Sequence, residues 1–326
     1  MDELRKQSDK ELKKIEKQIE GIYKQAEGEM RDKWDKYMQR AEKRLESFEK
    51  ALQDAVKSGD ADAIAKAKSV LMEKKQSVIL RDKQFSEMVD AVTDRIANVN
   101  QLAADYVNGK MPAMYRYNYN GSLREVQKDA DGAGIGGIAF NMIDDATVKQ
   151  MQRNGEIKLP KRKIDVPKDK QWNKKAIQAQ MMQGIIQGES IPQISKRLRN
   201  VTDMDKTSAV RNARTMATEA ENAGRLASME EAEEMGLEYE KTWMSTHDER
   251  TRESHVLMDG ETVPLDEPFS NGLMYPADPS GAPEEVYNCR CSMVRKLVGF
   301  KGKPINAKGY EPTYFEEEQK AAAIEE

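Results

Sequence analysis

The chain has 326 residues, of which 38% are hydrophobic and 34% charged, and its formal net charge is −4. That length suits two or three domains of roughly 100–200 residues; the low apolar content argues against one compact core, and the near-neutral balance excludes uniform attraction to nucleic acid or an anionic membrane. Two cysteines exclude a disulfide framework, no apolar run nears the roughly 18 residues that span a bilayer, and "MDELRKQSDKELKK" lacks a signal peptide's apolar core, so we expect a reducing cytosol and no membrane insertion.

From Leu12 the apolar positions run Ile15, Ile19, Ile22, Ala26, Met30, Trp34, Tyr37, Ala41, Leu45, Phe48 and Leu52. Steps of three and four give way to a repeat of four, four and three, the period of a nearly straight helix. The stripe is narrow and flanked by charge, so it predicts a helix that buries one seam against a partner. "KSGDADA" interrupts it, with Gly59 as the stop and Asp60 as the N-cap of the next helix. A second stripe, Phe85, Met88, Val92, Ile96, Val99, Leu102 and Tyr106, ends at "NGKMP". Residues 1–108 therefore read as a long αα-hairpin with coiled-coil character, on the order of 70 Å, suited to docking or self-association.

Residues 109–172 read as an irregular basic connector rich in Gly and Pro. "DGAGIGGIAF" lacks the Lys-Ser/Thr of a P-loop and the spacing of a dinucleotide fingerprint, so it is expected to be a flexible loop. Helical periodicity returns after Trp172 through Ile177, Met181, Ile185 and Ile186, and "GESIPQISKRL" marks a turn and a short helix. Residues 161–214 hold thirteen Lys/Arg against five Asp/Glu. The candidate nucleic-acid contacts there are Lys161, Arg162, Lys163, Lys168, Lys170, Lys174, Lys175, Lys196, Arg197 and Arg199; a solvated helical face or contact with an acidic protein are the alternatives. The helix that follows places Arg214, Thr218, Asn222 and Arg225 on one face and Ala209, Ala213, Ala217 and Ala220 on another, a pattern for close packing on one side and ordered hydrogen bonds on the other.

Residues 173–300 end in a small α+β unit, and 301–326 form an acidic tail. "EYEKTWMST" and "CSMVRKLV" read as strands, and "MDGETV" carries the Asp-Gly of a tight hairpin turn. Both histidines and both cysteines of the chain fall in this stretch. His247, His255, Cys289 and Cys291 have the chemistry of a tetrahedral zinc site, although Cys-x-Cys is tighter than the usual spacing. A redox pair and thiols packed as small hydrophobes are the other readings, and no other cofactor is expected. Asp248, Arg250, Arg252, His255, Asp259 and Asn288 can interlock as a polar network. In a catalytic version Asp248 would orient His255 as general base while Arg250 and Arg252 hold phosphate, as in a metal-dependent nuclease.

The motifs "RTMATEAENAGR", Trp243, "DERTRESHVLMDG", "EPF", "YP" and "NCRC", in this order, resemble the Mu F-like minor head proteins of tailed bacteriophages, the phage head-morphogenesis family. The match runs through Arg214, Thr215, Trp243, Asp248, Arg250, Arg252, His255, Asp259, Gly260, Phe269, Pro276, Asn288, Cys289, Arg290 and Cys291, and covers about residues 170–298. The whole then reads as a mainly α fold with a small α+β C-terminal domain behind the long N-terminal helical hairpin, which is compatible with the family but not diagnostic of it. Arg214, Asn222, Arg225, Trp243, Asp248, Arg250, Arg252, His255, Asp259, Asn288 and Arg290 would form a structural lock rather than a catalytic centre. It further implies a virion component made in the host cytoplasm and placed in the head interior at the portal vertex. Portal protein, major capsid or scaffolding protein, packaged double-stranded DNA and a second copy of the hairpin would be its partners. Mu F-like domains can be fused to toxin domains, but only about 28 residues follow Val298, too few for an effector there.

Overall fold

The structure is a computed structural model that describes residues 3–80 and 83–305. It is mainly helical with a small C-terminal antiparallel sheet, as the sequence leads one to expect. In chain order come α1 (Glu3–Ser58), α2 (Ala61–Lys75), a π-helical turn (Gln76–Leu80), α3 (Lys83–Gly132), α4 (Asp145–Asn154), α5 (Val166–Ile186) and α6 (Ile191–Glu234). Then follow β1 (Leu237–Met244), α7 (Glu253–Leu257), β2 (Thr262–Pro264), α8 (Pro283–Val286), β3 (Ser292–Phe300) and β4 (Lys303–Pro304). The chain packs as two compact units: one takes the residues up to Glu16, Tyr106–Arg162 and those from Val210 onward, the other Lys17–Asp105 and Lys163–Ala209. No described helix is long and apolar enough to cross a membrane. The acidic tail beyond residue 305 lies outside the described residues.

In the second unit α1 and α3 run antiparallel. Glu29 pairs with Arg95 at 3.1 Å, and Tyr37 stacks at a tilt on Phe85 with centroids 5.8 Å apart. Gly59, at φ 73°, ends α1, and the Asp60 carboxylate caps α2 by accepting from the backbone of Asp62 and Ala63. The Tyr37 hydroxyl reaches the carbonyls of Val78 and Ile79 in the π-turn, at 3.1 and 2.8 Å. Helix α5 lies antiparallel on α3 through Lys174–Asp90 at 2.5 Å and Lys170–Asp94 at 2.7 Å. The α1 seam, with Ile19, Ala26 and Leu45 at 0% exposure, is buried within this chain, whereas the sequence left it for a docking partner. Some stripe positions also differ: Leu12, Ile22, Phe48, Leu52 and Tyr106 are only half-buried, and Leu102 is 55% exposed while Ala103 is buried. After Val99 the buried face steps by four, to Ala103, Val107 and Met111, which turns Leu102 outward.

Helices α3, α4 and α5 correct much of the reading of residues 109–172 as irregular, the first two within the first unit. Helix α3 does not stop at "NGKMP" but continues through Pro112 to Gly132, with Met111, Met114, Tyr115 and Tyr119 buried. Proline removes one helical hydrogen bond; packing along that turn outweighs the loss. Asn118 exchanges hydrogen bonds with Ser8 at 3.0 and 3.2 Å, and the Asn120 carboxamide holds both the N–H and the carbonyl of Ile143, at 2.9 and 2.7 Å. The glycine-rich stretch turns at Gly134 and Gly137, both at positive φ, yet it is a strap rather than a bare loop. Ile135, Ile138 and Phe140 cover a cluster of Val126, Ala130, Leu237, Tyr239 and Leu297.

The sheet order is β2-β1-β3-β4, antiparallel throughout, with a register shift between Glu238 and Tyr239. Arg295 on β3 reaches Glu125 at 2.6 Å and Asp129 at 2.7 Å on α3. Asp259-Gly260 does not join two strands of a hairpin. It links α7 to β2, and Gly260, at φ 80°, donates its N–H to the Trp243 carbonyl at 2.9 Å. The short helix expected at "GESIPQISKRL" is the start of the 44-residue α6. Its alanine face is buried, and at Gly224 an added Cβ would lie 2.6 Å from the Tyr115 carbonyl oxygen, so α6 approaches the α3 backbone closely there.

Candidate functional site

After a turn at Asn288, residues 289–293 run extended alongside α6. Successive turns of the helix hold successive peptide groups of that segment. Thr215 Oγ1 accepts from the Asn288 N–H at 2.8 Å, and Thr218 Oγ1 donates to the Cys289 carbonyl at 2.9 Å. The Asn222 amide donates to the Cys291 and Pro276 carbonyls, both at 3.2 Å, and its oxygen accepts from the Met293 N–H at 3.1 Å. Arg225 donates to the Met293 carbonyl at 3.3 Å and pairs with Glu221 at 3.0 Å. The two periods match: a step of four on a helix rises about 6 Å, and two residues of extended chain rise about 6.6 Å. The polar stripe on α6 is therefore a ladder for one strand's entry.

Alternation along the extended segment explains the Cys-x-Cys spacing. Cys289 and Cys291 point inward, at 1% and 3% exposure, and Arg290 between them points out. The thiols join a core of Trp243, Met258, Phe269, Leu273 and Ala277. His255, 1% exposed on α7, brings Nδ1 to 3.3 Å from Cys291 Sγ and 3.7 Å from Cys289 Sγ. Trp243 meets the His255 ring edge-on at 5.2 Å and Phe269 likewise at 5.2 Å. The other ring nitrogen, Nε2, lies 2.9 Å from Glu285 Oε2. An ionised carboxylate only accepts, so Nε2 carries the hydrogen and Nδ1 faces the sulfurs. The hydrogen bond from Cys289 favours the Cys291 thiolate, while Cys291 and burial push the Cys289 thiol up.

Outside this core, Arg290 grips Asp248 with two hydrogen bonds of 2.5 and 2.6 Å, which hold the Asp248 carboxyl well below the usual carboxylate range. Asp248 also accepts from the Arg250 N–H at 3.1 Å. Arg5 and Thr246 both donate to the Arg290 carbonyl, at 3.0 and 2.8 Å. The Arg252 guanidinium donates to the Tyr287 carbonyl, and Asp259 accepts from the Ser245 N–H at 2.7 Å.

The residues expected to form one network thus separate into an α6 ladder (Asn222, Arg225), a buried His/Cys/Trp core (Trp243, His255) and an outer clasp (Asp248, Arg290, with the Arg250 backbone). Arg252 and Asp259 brace neighbouring loops. Arg214 sits apart, paired with Glu16 at 2.5 Å, and Asn288 contributes its backbone, at φ 59°. Of the four zinc candidates, His255, Cys289 and Cys291 come together, their ligand atoms all within 4.8 Å of one another. His247 does not join them; its ring is 60% exposed and lies 3.3 Å from Asp259. Glu285 escaped the sequence reading, because nothing in "APEEVY" shows that a residue thirty positions from His255 will meet it.

Two hollows adjoin the ladder. A cavity of about 440 Å³ is lined by Lys161, Arg162, Thr215, Glu219 and Tyr287 among others, and burial, aided by Asp278, pushes Glu219 up to about 7. A cleft of about 280 Å³ gathers Arg5, Arg214, Arg250 and Arg290, but Asp9 and Glu16 also line it. Among the candidate nucleic-acid contacts, Lys170, Lys174 and Arg197 pair with Asp94, Asp90 and Glu189. Lys161, Lys163, Lys168, Lys175, Lys196 and Arg199 are exposed, and Asn108 holds the Arg162 backbone. For the nuclease alternative, the enclosed His255 ring contacts Cys291 and Glu285 through its two nitrogens, so a nucleic-acid strand reaches it only if the surrounding loops move.

Comparison with known proteins follows the same elements. Residues 175–294 match the family model described as Phage Mu protein F like protein. The NAD(+)–arginine ADP-ribosyltransferase EFV of Enterococcus faecalis is 31% identical over 118 residues, which are 36% of this chain and 24% of that protein. The minor head protein GP7 of Bacillus phage SPP1 is 29% identical over 120 residues, which are 36% of this chain and 39% of that protein. The chain therefore spans about a quarter of one relative and two fifths of the other. No solved structure gives a significant match.

Proposed function

Residues 175–294 are a Mu F-like domain, and from that premise we propose that the chain is a minor head protein of a tailed bacteriophage, built into the capsid during head assembly. The observation that carries this reading is that the matched segment contains the whole α6 ladder and the Asn-Cys-Arg-Cys entry to β3, while GP7, a minor head protein, is similar over the same length of chain. The transferase is similar over nearly that length too.

In this reading the chain works at the portal vertex inside the head. Its docking partners are the portal protein and the major capsid or scaffolding protein, with a second copy as a further one. Because the α1 seam is filled from within, docking falls to exposed apolar side chains such as Trp172, Ile186 and Met204. The exposed lysines of the segment 161–199 support contact with packaged DNA, which needs only clustered cations and no base reading.

The test is to co-express the full-length chain with the portal protein of the same phage, isolate assembled heads and assay both by mass spectrometry. The expected outcome is co-purification with portal and incorporation into heads in few copies. A chain that is made, folds and stays out of the heads overturns the reading.

A further inference from the structure

We propose that His255, Cys289 and Cys291 bind a zinc ion, with Nδ1 and the two Sγ atoms as its three protein ligands. The proposal stands independently of the head-protein reading.

Four observations converge on it. The three ligand atoms lie within 4.8 Å of one another, close to the spacing of a tetrahedron with Zn–S near 2.3 Å and Zn–N near 2.0 Å. Glu285 holds the Nε2 hydrogen at 2.9 Å, and Ser254 donates to the same carboxylate at 3.1 and 3.2 Å. That is the outer carboxylate–histidine pairing that fixes the tautomer of a metal-bound imidazole. A backbone N–H is aimed at one of the sulfurs: Cys291 N lies 3.4 Å from Cys289 Sγ. A thiol packed merely as an apolar group needs no such amide. Finally, the α6 ladder holds the carbonyls of both cysteines, so the sulfurs are positioned before any ion arrives.

Chemistry selects the metal. Two thiolates and an imidazole are soft and borderline donors that suit zinc, not magnesium or calcium. On binding, each thiol releases its proton to solvent, and two thiolates with a dipositive ion leave the buried site uncharged. Among the described residues no fourth His, Cys, Asp or Glu joins the group, so the fourth position is open to a small exogenous ligand.

The full-length chain would be purified reduced, without a metal-affinity step or chelator, and its metals measured by mass spectrometry. We expect about one zinc per chain, removal of which by a chelator lowers Tm and which added zinc restores. Cobalt in its place should give a tetrahedral spectrum with thiolate-to-metal charge transfer. His247→Ala should keep the ion; Cys289→Ser and Cys291→Ser should weaken it and lose the charge-transfer band. A folded wild-type chain that contains no zinc and takes up no cobalt overturns the proposal, whether or not the variants fold. Undiminished zinc in a folded C289S/C291S double variant overturns it as well.

Discussion

At Asn288 the backbone takes φ 59°, a conformation that L-residues other than Asn and Asp enter only with strain, and this turn swings the next five residues onto α6. Asn288→Gly should therefore leave stability within about 0.5 kcal/mol, whereas Asn288→Val should cost about 1–2 kcal/mol in urea unfolding. Asn222 serves three peptide groups outside α6 at once, so Asn222→Leu should cost roughly 3 kcal/mol by leaving buried backbone groups unsatisfied. Glu219 is raised to about 7, chiefly by burial. A carboxyl whose pKa is higher folded than unfolded is most favourable below its unfolded value, and its contribution is lost as pH rises from there through about 7. Glu219→Gln should accordingly raise Tm at pH 8 and change it little at pH 4, a difference of roughly 3 kcal/mol at most. At this scale the polar stripe on α6 and the paired thiols were legible from spacing. Glu285 and Glu219 were not, because a carboxylate's partner or burial is set by residues far away in sequence.

Among the elements, α6 depends on the small residues of one face. Ala213, Ala217 and Ala220 are buried, and Gly224 continues the stripe where the Tyr115 carbonyl leaves no room for a Cβ. Gly224→Ala should improve local helix propensity yet lower overall stability by about 1–3 kcal/mol in thermal unfolding, because backbone rather than a flexible side chain would have to move. The alanine face was readable as a packing face; which helix it met was not. The same boundary of legibility appears in α3. Its apolar period predicted a helix from Phe85, but "NGKMP" looked like an end, and the burial of Met111, Met114 and Tyr115 that carries the helix past Pro112 comes from tertiary packing. Strands β1 and β3 were visible in their alternation, whereas β2, three residues long, has too few positions to show a period.

Over the whole molecule, chain order and packing order differ. The residues up to Glu16 belong to the unit that holds the sheet, while the rest of α1 belongs to the other. Within the first unit, Arg5 donates to Thr246 Oγ1 and to the Arg290 carbonyl, both at 3.0 Å, and Ser8 bonds Asn118. Deleting residues 1–16 should thus loosen the sheet-bearing unit, read as a lower Tm and faster proteolysis beyond Val210, although the deleted stretch lies outside the Mu F-like segment. No sequence pattern in "DELRKQSD" announces that role, since its partners lie as many as 285 residues away. The separation also orders events on the ribosome. All residues of the second unit have been synthesised once Ala209 is added, but Arg5 must wait for Arg290, so the first unit closes only after Arg290 has been made. A nascent chain stalled before β3 would leave the turns around Arg5 without their last partner, open to chaperones and proteases until Arg290 has been added.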